Sequence, residues 1–342
     1  MLISWNTTNQ CNLYCDHCYR DSGAKLEEEL SYGEAKELIK GAVRAGFRLF
    51  IFSGGEPLLR PDLLDVVAYA VSQGLRVVLG SNGTLLTPEL ARELKKAGVA
   101  AVGISLDSCE PIKHDRLRRK EGAWEKALAG MEACRSAGLP FQVHTTVFDW
   151  NREELTKLTD LAVSVGAKAH HFFFLVPTGR AATLEEEAFR AAQYEETIRT
   201  ILVKQQQVSI ELKPTCAPQF MRLGQEMGLK LPYQRGCLAG IAYCLVGPRG
   251  DLQPCAYLNL KVGNIREVPL DHLWRESEVL KRLRSQSYTG VCGRCRYRTL
   301  CGGCRARAYC FLGDYMAEDP WCRYNRGTEQ VDGIPREEEK VG

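Results

Sequence analysis

Six apolar segments of strand length alternate with six longer amphipathic stretches between residue 1 and about residue 207. That alternation narrows the possible folds more than any other feature. The strands are expected at Leu2–Thr8, Arg48–Ser53, Arg76–Ser81, Ala101–Asp107, Phe141–Phe148 and Ala169–Val176. The helices are expected at Tyr32–Arg44, Pro61–Gln73, Pro88–Lys96, Ala123–Ala137, Glu153–Val165 and Leu184–Gln206. Thr183-Leu184-Glu185-Glu186 has the form of a capping box and opens the last helix. Gly46, Gly74, Gly98, Gly138 and Gly166 stand just past five helix ends, where glycine relieves the left-handed turn. Parallel strands need such crossovers, and crossovers are right-handed. The result is an α/β chain, either an open doubly wound sheet or a partial barrel. Both place a site at the carboxyl ends of the strands.

Residues 208–342 read differently. Strand-like pieces are short, and Gly and Pro recur. Gly247-Pro248-Arg249-Gly250-Asp251 marks a hairpin turn. A region with so little apolar core needs cross-links, and metal clusters can supply them. After Tyr324 the chain is polar, with an acidic run at Glu337–Glu339, and a loosely ordered tail is expected.

Fifteen cysteines in 342 residues are too many for an ordinary cytoplasmic protein. They gather at the two ends, in Cys11–Cys18 and Cys237–Cys322, and the N-terminus has no secretory signal pattern. In a reducing cytoplasm, metal ligation explains them better than disulfides. Net charge is 45 − 42 = +3, which offers no argument for nucleic acid. No apolar run approaches the roughly 18 residues of a membrane span.

Cys11-x3-Cys15-x2-Cys18 presents three thiolates on one short loop. Thiolates suit iron–sulfur clusters, and three of them leave one iron of a 4Fe–4S cluster open to a small molecule. Zinc sites favour Cys-x2-Cys pairs and four protein ligands. Ser53-Gly54-Gly55-Glu56-Pro57 and Ser81-Asn82-Gly83-Thr84 come at the ends of the second and third strands and Ser105-Leu106-Asp107 closes the fourth, so they share one rim. Near the C-terminus, Cys292-x2-Cys295-x5-Cys301-x2-Cys304 precedes Cys322, with Cys237, Cys244 and Cys255 upstream. The gap between the two Cys-x2-Cys pairs is shorter than a zinc ribbon needs.

The triplet and Gly54-Gly55-Glu56-Pro57 resemble the radical S-adenosylmethionine (SAM) superfamily, whose fold is a partial (β/α)6, TIM-like barrel. The C-terminal cysteines resemble a SPASM domain, that superfamily's carrier of auxiliary clusters. The resemblance implies a radical SAM core at 1–207, a SPASM-type domain at 208–324 and a polar tail at 325–342. It implies that the open iron chelates SAM. His17 would neighbour the adenine, and Gly54, Gly55 and Glu56 would meet the methionine ammonium. Asn82, Ser105 and Asp107 would add polar contacts to SAM, and Arg118 in His114-Asp115-Arg116-Leu117-Arg118 would pair with its carboxylate. Cys292, Cys295, Cys301 and Cys322 would hold one auxiliary 4Fe–4S cluster, and Cys237, Cys244, Cys255 and Cys304 a second.

Trp5-Asn6-Thr7-Thr8, His170 to Arg180, and Lys213-Pro214-Thr215-Cys216-Ala217-Pro218 resemble the tetrapyrrole-modifying branch. Within it the phrases are most similar to the heme d1 biosynthesis (NirJ-like) group, related to the heme b synthases of the alternative pathway. That resemblance implies an iron tetrapyrrole whose propionate or acetate side chains are altered, with ferredoxin or flavodoxin as electron donor. Arg180, Lys213 and Cys216 are then the candidate substrate residues, with Arg222 a further one, and the two prolines that fix the loop around Cys216 admit a substrate-facing or a cluster-facing role. A peptide-modifying SPASM maturase is the alternative.

Overall fold

The computed structural model describes residues 1–187 and 191–324, so the tail at 325–342 lies outside the described residues. Strands β1 (Leu2–Asn6), β2 (Leu49–Ser53), β3 (Arg76–Ser81), β4 (Val99–Ser105), β5 (Phe141–Val147) and β6 (Ala169–Phe174) run parallel, neighbour to neighbour. Helices α1 (Tyr32–Arg44), α2 (Leu63–Ser72), α3 (Pro88–Lys96), α4 (Pro111–Arg118), α5 (Ala123–Ala137), α6 (Leu155–Ser164) and α7 (Ala191–Gln205) carry the crossovers. The five glycines past helix ends all adopt positive φ. Ser31 and Glu34 form a reciprocal capping box at the start of α1.

The sheet does not stop at six strands. β7 (Glu211–Thr215) joins parallel to β6, and β8 (Tyr243–Val246) joins parallel to β1. β9 (Asp251–Gln253) returns antiparallel to β8 across the expected turn, and β10 (Gly263–Asn264) follows it. The order is β10-β9-β8-β1-β2-β3-β4-β5-β6-β7, and the two edges do not pair. This is the expected partial barrel, widened on both sides by strands from beyond residue 207.

Side-chain alternation sorts the two faces. Ile3, Trp5, Phe50, Phe52, Val77, Leu79, Val102 and Ile104 are buried in the core beneath the helices. At about 1.5–3 kcal/mol for each large apolar side chain, this layer supplies much of the folding free energy. The opposite face carries smaller and polar residues, among them Gly80, Gly103, Ser105 and His144.

Two local readings change. The chain from Gly179 to Glu187 is 3-10 helix, with Leu184 at non-helical φ −103° and ψ 25°. Gly179 abuts the Tyr19 carbonyl, and the Arg180 N–H donates to Cys18 O at 2.9 Å. The Thr183 hydroxyl donates to Arg180 O instead of capping a helix. Pinned in this way to the Cys11–Cys18 loop, the segment winds tightly before α7. Helix α4 carried no sequence signal: one of its two large apolar residues, Ile112, is 82% exposed.

Candidate active site

The loop after β1 is closed by its own backbone. Gly23 N–H donates to Asn9 O (3.0 Å) and Cys11 N–H to Gly23 O (2.8 Å). Glu29 Oε1 accepts from the Thr8 hydroxyl and from Asn9 and Leu26 N–H. Cys11, Cys15 and Cys18 are half-buried on this loop. Backbone N–H groups point at two of the sulfurs, Leu13 at Cys11 (3.5 Å) and Ser22 at Cys18 (3.4 Å).

Gly54 and Gly55 press on the arm leading into that loop. A Cβ at Gly54 would lie 2.6 Å from Thr8 O, and one at Gly55 would lie 2.2 Å from Gln10 O. The close approach permits Gly55 N–H to reach Thr8 O (2.8 Å) and Glu56 N–H to reach Gln10 O (2.7 Å). The glycines dock one rim loop against another.

Three expected SAM contacts are placed otherwise. Glu56 is fully buried, and its carboxylate accepts from the Ser81 hydroxyl (2.9 Å), Asn82 N–H (2.9 Å) and Leu58 N–H (3.2 Å). It ties the glycine turn to β3. Burial lifts it to about 7 against those donors. Asp107 is also fully buried, and Oδ2 accepts from Arg118 Nε (2.8 Å) and Nη2 (2.7 Å). Oδ1 accepts from Thr146 N–H (2.8 Å). Burial would raise Asp107, but Arg118 holds it down at about 2. Arg118 is therefore committed to Asp107, with Nη1 left 3.9 Å from Cys15 Sγ.

Asn82 spans the rim, donating to Asn12 Oδ1 (2.9 Å) with its Nδ2 4.0 Å from Cys11 Sγ. Ser105 sits at the end of β4, half-buried, its hydroxyl 3.4 Å from Ser81 O. The His17 ring meets Phe148 edge-on at 5.8 Å, and its Nδ1 is buried with no hydrogen-bond partner among the described residues. Burial lowers His17 to about 4, so the ring is neutral.

Of the expected substrate residues, Arg180 is placed elsewhere. Its Nε donates to Cys15 O (2.7 Å), its Nη1 to Asp21 Oδ1 (2.6 Å) and Ser22 O (3.0 Å), and its plane lies 3.7 Å from the centre of the Tyr14 ring. It clamps the cysteine loop. Lys213 does face inward from β7, over Tyr233 at 4.8 Å. The sequence puts His170 and His171 on opposite faces of one strand and favours a core or hydrogen-bonded role for them; the fold sets His171 on the inner face beside Lys213. His144 and His171 stack at 5.5 Å and 8°, with Phe173 5.0 Å from His144, and a Cβ at Gly103 would strike the His144 ring. His170, on the other face, is bonded to Thr145 and to Thr159 of α6. Strand parity alone separates the two histidines, so the signal was present in the sequence.

The C-terminal cysteines fall into two groups. Cys292, Cys295, Cys301 and Cys322 line one pocket with Arg222, Tyr297 and Tyr324. N–H groups point at three of these sulfurs: Asp319 at Cys292 (3.4 Å), Tyr297 at Cys295 (3.4 Å) and Gly303 at Cys301 (3.5 Å). Cys237, Cys255 and Cys304 form the second group. Cys244 does not join them: it is fully buried on β8, in the main apolar core.

The donor sets fit iron–sulfur clusters. Among the described residues no three His, Cys, Asp or Glu side chains converge on a single ion. A cluster instead spreads its ligands over separate irons, and N–H groups aimed at sulfur stabilise it. Burial pushes the Cys15 thiol up to about 12 despite Arg118, so loading must displace protons.

The Radical SAM superfamily pattern matches residues 5–162, and the SPASM iron–sulfur cluster-binding domain matches residues 237–296. An AdoMet-dependent heme synthase of Methanosarcina barkeri is 43% identical over 96% of this chain and 97% of its own. A pre-heme d1 synthase of Dinoroseobacter shibae is 28% identical over 94% and 85%. Within the tetrapyrrole branch, similarity is thus greater to the heme synthase than to this heme d1 relative. SuiB of Streptococcus suis, solved with its precursor peptide SuiA, shares the fold with a TM-score of 0.74 at 14% identity, over 93% of this chain and 74% of its own. Cysteine loop, strand rim and a similarity that spans nearly the whole chain lead to one conclusion: the chain belongs to the radical SAM superfamily, as a SPASM-bearing enzyme of the AdoMet-dependent heme synthase family.

Proposed function

We propose that this chain removes or modifies propionate or acetate side chains of an iron tetrapyrrole. The observation that carries the reading is the 43% identity to a heme synthase, which runs through both cysteine regions and the barrel. The inner face suits such a substrate. A flat apolar disc with carboxylates needs ring-bearing walls and cations. His144, His171 and Phe173 offer the walls, and Lys213 offers a cation.

Cys11, Cys15 and Cys18 hold the catalytic 4Fe–4S cluster in this reading. When bound, the cluster and SAM supply reductive SAM cleavage and a hydrogen-abstracting radical. His17 borders the adenine, and its unpartnered Nδ1 is free for it. Asn82, Ser105 and the Gly54–Gly55 backbone line the rest of the cofactor. Glu56 and Asp107 stand behind them, and Arg118 places positive charge beside Cys15. Cysteines of the SPASM-type region at 208–324 hold auxiliary clusters, beyond the radical SAM core at 1–207. Loss of a side-chain hydrogen atom and of CO2 leaves one electron, which an auxiliary cluster can accept.

A ferredoxin or flavodoxin fits as donor, and the cytoplasm fits as compartment. None of the fifteen cysteines is in a disulfide, and among the described residues no helix is long and apolar enough to cross a membrane. Mass spectrometry after reduction with SAM and iron coproporphyrin III tests the reading. Loss of carboxylate carbon with 5′-deoxyadenosine formation is expected. An unchanged tetrapyrrole, with cleavage stimulated only by a peptide, would reject it in favour of a maturase.

A further inference from the structure

We propose that Cys216, rather than Cys244, completes the second auxiliary quartet with Cys237, Cys255 and Cys304. Cys216 and Cys255 pack against one small buried cluster formed by Cys304, Val176, Leu258 and Ala306. Cys237 is tied to the same loop: its N–H donates to Cys301 O (3.0 Å), and a Cβ at Gly302 would lie 3.7 Å from that of Cys237. The Cys216 thiol lies in electrostatic range of Cys304, Cys255 and Cys237. Cys244 has no cysteine among its charged neighbours.

Backbone geometry points the same way independently. Cys216 adopts φ 59°, a left-handed conformation that strains a residue with a side chain. β7, which includes Pro214, ends at Thr215 immediately before it, and Pro218 follows two residues later. The fully buried Arg307 holds the turn, donating Nη1 to Cys216 O (3.2 Å). The same guanidinium bonds both oxygens of Asp319 at 2.8 Å, and Asp319 Oδ2 accepts from Cys304 N–H (2.7 Å). One buried ion pair thus sets the backbone of both cysteines. A turn clamped beside three thiols suits a fourth ligand. The assignment keeps four ligands and leaves Cys244 as a small core residue.

This inference is independent of the tetrapyrrole reading, because its test uses no substrate. Full-length wild type, Cys216→Ala and Cys244→Ala are reconstituted with iron and sulfide. Iron, sulfide and the electron paramagnetic resonance of the reduced proteins are then compared. Cys216→Ala should lose up to about four irons per chain, or show a changed signal from one cluster, while Cys244→Ala matches wild type. Loss in Cys244→Ala with full loading in Cys216→Ala would overturn the assignment, as would full loading and unchanged spectra in both. If circular dichroism shows Cys216→Ala unfolded, Cys216→Ser decides. A shifted signal from one cluster supports ligation, and unchanged signals refute it.

Discussion

Arg118 grips a single oxygen of Asp107 through Nε and Nη2, at 2.8 and 2.7 Å, and thereby points Nη1 at Cys15. A pair that reads in the sequence as two separate cofactor contacts is one buried unit. It joins β4, α4 and the cysteine loop.

That unit makes the apoprotein acid-sensitive. Asp107 is held at about 2 in the fold, against 3.8 for an unperturbed carboxyl. A depressed acid stabilises above its unfolded value and loses that contribution as pH falls through its folded value. About 2 kcal/mol should therefore disappear between pH ~4 and pH ~2. Asp107→Asn should be less stable at neutral pH by roughly 3–5 kcal/mol, because Arg118 is left unpaired. Its denaturation should also depend less on pH in that window. An unchanged pH slope in urea titrations would count against this account.

Gly55→Ala should loosen the catalytic loop. The added Cβ would meet Gln10 O at 2.2 Å, and backbone cannot yield cheaply there. A cost of roughly 1–3 kcal/mol is expected, with reduced iron at Cys11, Cys15 and Cys18 and full iron at the C-terminal cysteines. Gly33→Ala is the control, since nothing lies within 4 Å of its Cβ position. Equal iron loss from both cysteine regions would show general misfolding instead.

Arg180→Lys should act on the cluster loop and not on substrate affinity. Lysine cannot reach Cys15 O, Asp21 and Ser22 O together while covering the Tyr14 ring. Faster iron loss to a chelator and slower SAM cleavage without substrate are expected, the loop being weakened by roughly 1–3 kcal/mol. Weaker tetrapyrrole binding with normal iron retention would return Arg180 to the substrate site.

Lys213→Ala should weaken tetrapyrrole binding roughly tenfold, about 1.4 kcal/mol, as read by a Soret-band titration. Burial lowers the ammonium's affinity for its proton, so a carboxylate partner would offset a desolvation cost the fold already bears. Cleavage of SAM without substrate should hold near wild type. Unchanged binding would exclude Lys213 from the carboxylate contacts.

Much of this protein follows from sequence pattern. Apolar periodicity and the glycines past helix ends specify local structure, so six strands and most crossovers are readable within a few residues. The Cys11–Cys18 spacing is equally local, because three ligands on one loop need no distant contact to be recognised. Tertiary structure decides what depends on partners far apart in the chain. Glu56 and Asp107 carry the right charge for cofactor contacts, yet buried charge must be satisfied, and the nearest donors are Ser81, Asn82 and Arg118. Arg180 lies on the expected rim, but Gly179 brings it against the cysteine loop first. Cys244 and Cys216 differ little as letters. The first is taken into the sheet beside β1, while the second sits in a clamped turn facing Cys304, because β7 and β8 join opposite edges of one sheet.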